Sequence, residues 1–114
     1  MRKIYLACPY HHDDAWIMFR RFHKVSIKAG ELYKQGYNVF SPITHSHIIV
    51  QETTGISHSW DDFWEKIDFS YIKDWADELW VYRLPGWEYS RGVSAEIRFA
   101  EELGKPISYI GGDY

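Results

Sequence analysis

Residues 85–97, PGWEYSRGVSAEI, put two aromatics, a hydroxyl, a guanidinium and a carboxylate into one short connection. Gly86 and Gly92 bracket Trp87, Tyr89, Ser90 and Arg91, and Glu96 follows within the next helical turn. Backbone N–H groups near a helix start stabilise an anion, so Glu96 is expected to be ionised. It reads as a dipole-complementing surface acid, or as a nucleophile at a ligand rim where Gly92 lets a substrate approach the backbone. Trp87 and Tyr89 either stack a planar base or fold back onto the core.

Two further constellations bear on chemistry. Asp68, four residues after Trp64, sits on a helix and in isolation reads as solvent-facing, while Asp77 reads as a turn or cap residue. Paired with Glu96, Asp68 would supply the second carboxyl group that retaining glycosyl chemistry requires on the opposite side of the scissile bond. His11, His12, Asp13 and Asp14 share one loop, with His45 and His47 in another. An H-x-H pair without its remaining ligands is weak evidence for zinc, and no HExxH motif occurs. No metal site is therefore expected, and some of these histidines read as hydrogen-bonding groups of a pocket. Cys8 stands alone, so no intrachain disulfide can form, and it reads as packing rather than as a nucleophile.

The elements that would position these groups alternate. RKIYLAC (2–8) is a strand closed by Pro9, and Asp13 or Asp14 caps a helix. In that helix Trp16, Phe19, Val25, Ala29 and Leu32 recur at three- and four-residue intervals. YNVFSP (37–42) is a second strand, 43–59 a mixture of short helix and loop, and Trp60 to Trp75 a second long helix. DELWVYRL (77–84) and KPISYI (105–110) are strands around the amphipathic helix 92–104. This order predicts one domain over residues 1–114: a flavodoxin-like, Rossmann-like three-layer α/β sandwich with a parallel sheet of four or five strands. Ligands in such sheets bind beyond the carboxyl ends of the strands. The loops ACPYHHD, SPITHSH and PGWEYSRG all follow strands and so converge on one rim.

Composition sets the outer limits. A chain of 114 residues with 46% hydrophobic content, six Trp, nine Tyr and six Phe can bury a real core. A net charge of −3 gives no electrostatic footprint for nucleic acid or an anionic membrane. No apolar run approaches the length of a membrane span, and the amino-terminal apolar stretch is too short for a signal peptide, so a cytoplasmic protein is expected.

IYLACPY at the first strand, VFSPITHSH after the second, DELWVYRLPGW at the third, and SRGVSAE before a helix ending GKPI together form a pattern. It resembles the nucleoside 2-deoxyribosyltransferase superfamily, which includes deoxynucleoside 5′-monophosphate N-glycosidases, and most of all a small bacterial and phage branch of it. The resemblance covers nearly the whole chain; its most specific element is a Ser six residues before a Glu with Gly between. It implies that Glu96 is the nucleophile at the anomeric carbon, that Tyr5 orients it, and that Asp68 handles proton transfer to the departing base. Ser90 falls where the glycosidases place a hydroxyl against the sugar or its phosphate. With the loop argument, the expected substrate-binding residues are Pro9, Tyr10 and His11 after the first strand, His45 and His47 after the second, and Trp87, Ser90 and Gly92 after the third.

The chain also departs from that pattern. Where the monophosphate glycosidases carry Ser and Arg in the first loop, Pro9 and His11 stand here. Either His12, Arg91 or the helix start near Asp14 takes over the phosphate, or none is recognised. Relatives complete their pockets across a subunit interface, which implies a homodimer or larger assembly, with Asp113 and Tyr114 left for that role. The expected activity is cleavage of a nucleoside or nucleotide N-glycosidic bond, by hydrolysis or deoxyribosyl transfer, with no cofactor. Its rivals are a non-catalytic nucleotide-binding module and a ribonucleotide or nicotinamide-dinucleotide glycohydrolase.

Overall fold

The computed structural model describes residues 1–56 and 62–112. Its elements run β1 (Lys3–Ala7), α1 (Ala15–Lys34), β2 (Asn38–Phe40), α2 (Pro42–Glu52), α3 (Asp62–Asp74), β3 (Glu78–Tyr82), a 3₁₀ turn (Trp87–Tyr89), α4 (Arg91–Glu102) and β4 (Ile107–Ile110). The strands form one parallel sheet in the order β2-β1-β3-β4, so the expected flavodoxin-like α/β sandwich is observed with four strands among the described residues. Trp60, Asp113, Tyr114 and the end of the 43–59 segment lie outside those residues.

The pleat of β1 separates the two halves of the core. Ile4, Leu6 and Cys8 point to one side, against Val25, Ala29 and Leu32 of α1. Tyr5 and Ala7 point to the other, against Ile72 of α3 and Val93 and Ala100 of α4. A strand with both faces covered must be apolar throughout, and Ile4 to Ala7 are fully buried. Each such aliphatic side chain is worth about 1.5–3 kcal/mol once buried. The chain places β2 on one side of β1 and β3 on the other, so the strand order reverses between β1 and β3, in register Tyr5 opposite Leu79 and Ala7 opposite Val81. The crevice of this fold opens there.

α1 differs from its sequence reading in one respect. Asp14 caps it, accepting from the Trp16 N–H at 2.9 Å, and Val25, Ala29 and Leu32 are buried. Trp16 and Phe19, in phase with them, remain 62% and 43% exposed. Twenty residues of helix extend roughly 30 Å, about twice the length of β1, so the first turns overhang the sheet. α2 was not expected as a full helix. Ser41 caps it through Thr44 N–H at 3.3 Å and Pro42 occupies the first helical turn, which puts His45 and His47 on a helix rather than in a loop.

α3 and α4 are locked to each other and to the sheet. Phe69 and Phe99 stack with ring centroids 4.2 Å apart and planes within 4°. Lys105, just before β4, extends its ammonium back to the end of α3, donating to the carbonyls of Ile72 (2.5 Å) and Lys73 (2.9 Å) in its last turn and of Ala76 (2.6 Å) just beyond it. A cation on otherwise orphaned helix-end carbonyls satisfies them and complements the helix dipole. The GKPI segment thereby holds α3 in place.

Candidate active site

Glu96 is the sixth residue of α4, past the first turn where backbone N–H groups are free, and only 3% exposed. The helix start therefore does not hold it ionised, contrary to its reading from position alone. Its hydrogen bond comes from across the sheet: the Tyr5 hydroxyl on β1 donates to Oε2. Asp68 on α3 is buried as well, facing inward one turn after Trp64 rather than out to solvent. Both carboxyl groups line a cavity of about 450 Å³, which opens beyond the carboxyl ends of β1 and β3. That volume lies in the range of small-molecule sites.

Burial raises the carboxyl pKa of Glu96 well above its ordinary value; the nearby Asp68 charge adds to this, and the Tyr5 hydrogen bond opposes it. Burial likewise pushes Asp68 up to about 7. Two coupled carboxyl groups in a low-dielectric cavity lose their protons as a pair rather than independently. Tyr5 distinguishes the two groups. Its phenol is raised well above its usual value, by burial first and Glu96 second, so it is a permanent donor. A hydrogen bond to the ionised form favours that form, and the Tyr5 hydroxyl gives it to Glu96. The Tyr5 bond thus favours ionisation at Glu96, against the burial that raises both carboxyl groups.

The remaining walls come from all three rim segments. Tyr10, His11 and Cys8 follow β1; Pro42, Ile43, Ser46 and Val50 belong to α2; Tyr89, Ser90, Arg91 and Gly92 lead into α4. Cys8 is buried, and its thiol is raised by that burial and by Glu96, so it stays protonated. Ser90 caps α4, accepting from the Val93 N–H at 3.2 Å, and lines the cavity.

Four of the expected binding residues stand elsewhere. Pro9 is fully buried behind the wall. His47 is buried behind Tyr10, its Nδ1 2.5 Å from the Tyr10 hydroxyl and its ring stacked on Phe22 at 4.0 Å. His45 is exposed beside Phe40. Trp87 folds back on the core and packs against Tyr109, 5.8 Å between ring centroids. Trp64, not among the binding residues expected from sequence, lines the cavity. Among the described residues no group of three or more His, Cys, Asp or Glu side chains is placed to share a metal ion.

The chain is thus a parallel α/β sandwich with two buried carboxyl groups lining a cavity at its switch point. The chain belongs to the family described as Domain of unknown function (DUF1937), which it matches over residues 2–111. No curated protein matches it.

Proposed function

We propose that the protein cleaves the N-glycosidic bond of a deoxynucleoside or nucleoside, or of its 5′-monophosphate, by hydrolysis or by transfer of the sugar to another base. The observation carrying this reading is the Tyr5–Glu96 hydrogen bond beside Asp68 in the cavity floor. Tyr5 occupies Oε2 of Glu96, which leaves Oε1 to attack C1′ of the sugar. The C1′–N bond breaks, its electron pair goes to the base nitrogen, and Asp68 donates a proton to the departing base. The sugar–Glu96 ester is then resolved: Asp68, now ionised, takes a proton from water as its oxygen attacks C1′, and Glu96 leaves as carboxylate. Two inversions give net retention.

The lining suits such a substrate. Tyr10, Trp64 and Tyr89 offer aromatic surface to a planar base. Ser90 and Arg91, at the N-terminus of α4, suit a sugar hydroxyl or a 5′-phosphate. The resemblance to nucleoside 2-deoxyribosyltransferases assigns the same three roles to Glu96, Asp68 and Tyr5. A non-catalytic binding module would be favoured by a Glu96 neutralised by a basic residue, and its partner is a phenol. The same resemblance implies a homodimer or larger assembly, for which the exposed, mutually stacked Trp16 and Phe19 supply apolar surface.

The test is to incubate the protein with a panel of nucleosides and their monophosphates and to chromatograph for free base. Wild-type protein releases base from at least one of them, and Glu96→Gln releases none while its circular dichroism is unchanged. Near-wild-type turnover by Glu96→Gln would remove the carboxylate from the mechanism.

A further inference from the structure

A second groove, of about 240 Å³, lies on the other side of the first loop. Ile17, Arg20, Arg21 and Lys24 of α1 form one wall, with His12 from the first loop and Leu84–Pro85 after β3 completing it. Positions 17, 20, 21 and 24 share one helix face. Between Ala15 and Gly30 the chain carries four Lys or Arg residues and no carboxylate, although its net charge is −3.

Arg21 is the fixed element of this groove. Its Nη1 donates to the carbonyls of Tyr10 and His11, each at 3.3 Å, and its Nη2 to the carbonyl of Pro85 at 3.0 Å. Gly86 makes this approach possible: its φ of +91° suits glycine, and a Cβ there would lie 2.9 Å from Nη2. Carbonyls orient a guanidinium without neutralising it. Among the described residues the ion pairs are Arg2–Glu78 and Lys28–Glu31, so Arg20, Arg21 and Lys24 have no carboxylate partner. A half-buried, immobilised charge without a counter-charge is costly, and an anion entering the groove offsets that cost.

We propose that this groove binds linked phosphates, either the diphosphate or triphosphate group of a nucleotide or a free inorganic polyphosphate. Arg20 and Lys24 stand one helical turn apart, about 6 Å along the axis, with Arg21 beside them, so the charges are spread over more than one phosphate group. Guanidinium forks match phosphate oxygens in geometry as well as charge. Ile17, Leu84 and Pro85 exclude water beside them, which strengthens each contact. A long polyanion fits less well, because beyond the groove it meets a surface that is net acidic. The site is independent of the chemistry proposed for Glu96.

The experiment is a titration of the full chain with inorganic tripolyphosphate at constant ionic strength, followed by amide chemical shifts. Saturable shifts are expected at His12, Ile17, Arg20, Lys24 and Leu84. The double variant Arg20→Ala/Lys24→Ala is expected to bind at least about tenfold more weakly, as loss of charge-assisted contacts implies. The control Lys34→Ala/Lys73→Ala, with the same change in net charge, is expected to bind as wild type does. A nucleoside triphosphate that binds more tightly and also shifts Tyr10 and His11 assigns the phosphates to a nucleotide; equal affinity for the two ligands assigns them to free polyphosphate. The site is refuted by shifts that do not saturate, by equal loss in the control, by orthophosphate binding as tightly as tripolyphosphate, or by a single-stranded oligonucleotide that binds more tightly with shifts spreading past the groove.

Discussion

The Tyr5 hydroxyl on the central strand donates to the Glu96 carboxylate on α4, from a residue 91 positions away in the chain. This bond favours the ionised form of Glu96, and among the described residues no such donor reaches Asp68. Tyr5→Phe should therefore leave the fold intact and raise the pKa of Glu96 further. A hydrogen bond to a charged group is worth about 1.5–3 kcal/mol, so kcat/KM for base release should fall roughly 10–100-fold. The low-pH limb of the rate profile, which in the proposed mechanism reports ionisation of Glu96, should move upward. A uniform loss with no shift of that limb would assign Tyr5 to packing alone.

Asp68 ties stability to pH, and the sign follows from its raised pKa. The folded protein keeps a proton on Asp68 up to about pH 7, whereas the unfolded chain releases it near the ordinary value of 3.8. Between these values the native state binds more protons, so stability falls as pH rises through that window and levels off above it. Asp68→Asn cannot ionise and relieves Glu96 of a neighbouring charge. Its thermal midpoint should change less than that of wild type between pH 5 and pH 8, with the largest gain over wild type at pH 8. Parallel curves for the two proteins would place Asp68 in solvent.

Lys105 should matter for stability through backbone alone. Lys105→Met keeps most of the side-chain length and removes the three bonds to the end of α3. The loss is expected to be about 2 kcal/mol, read from urea unfolding as a lower midpoint with unchanged slope. Because α3 carries Asp68, activity should fall too, and the Asp68-dependent pH slope of the thermal midpoint should weaken.

Strands and the long helices were legible because their apolar periods are strong: IYLAC alternates between two buried faces, and Val25, Ala29 and Leu32 repeat with the helix. α2 was not, because its apolar positions do not form a clear stripe, yet Ser41–Pro42 is a start signal that could have been read. Loop convergence could be inferred from strand order, whereas side-chain direction could not. Ser90 and Gly92 face the cavity while Trp87, from the same loop, turns to Tyr109. Asp68 was the least legible residue by composition alone. Its burial depends on α4 lying across α3, fixed by the Phe69–Phe99 stack and the reach of Lys105, contacts that no local window contains.

Ser90 serves two functions that substitution can separate. Its oxygen caps α4 through Val93 N–H, and the same residue lines the cavity. Ser90→Ala removes both the cap and the hydroxyl, with an expected loss of about 1 kcal/mol in stability together with weaker substrate binding. Asn is as good a cap as Ser, so Ser90→Asn should restore the unfolding midpoint while leaving KM raised for whichever substrate of the proposed cleavage is found, because an amide replaces the hydroxyl at the wall. Recovery of both midpoint and KM in Ser90→Asn would mean that the residue acts on substrate only by holding the helix start in place.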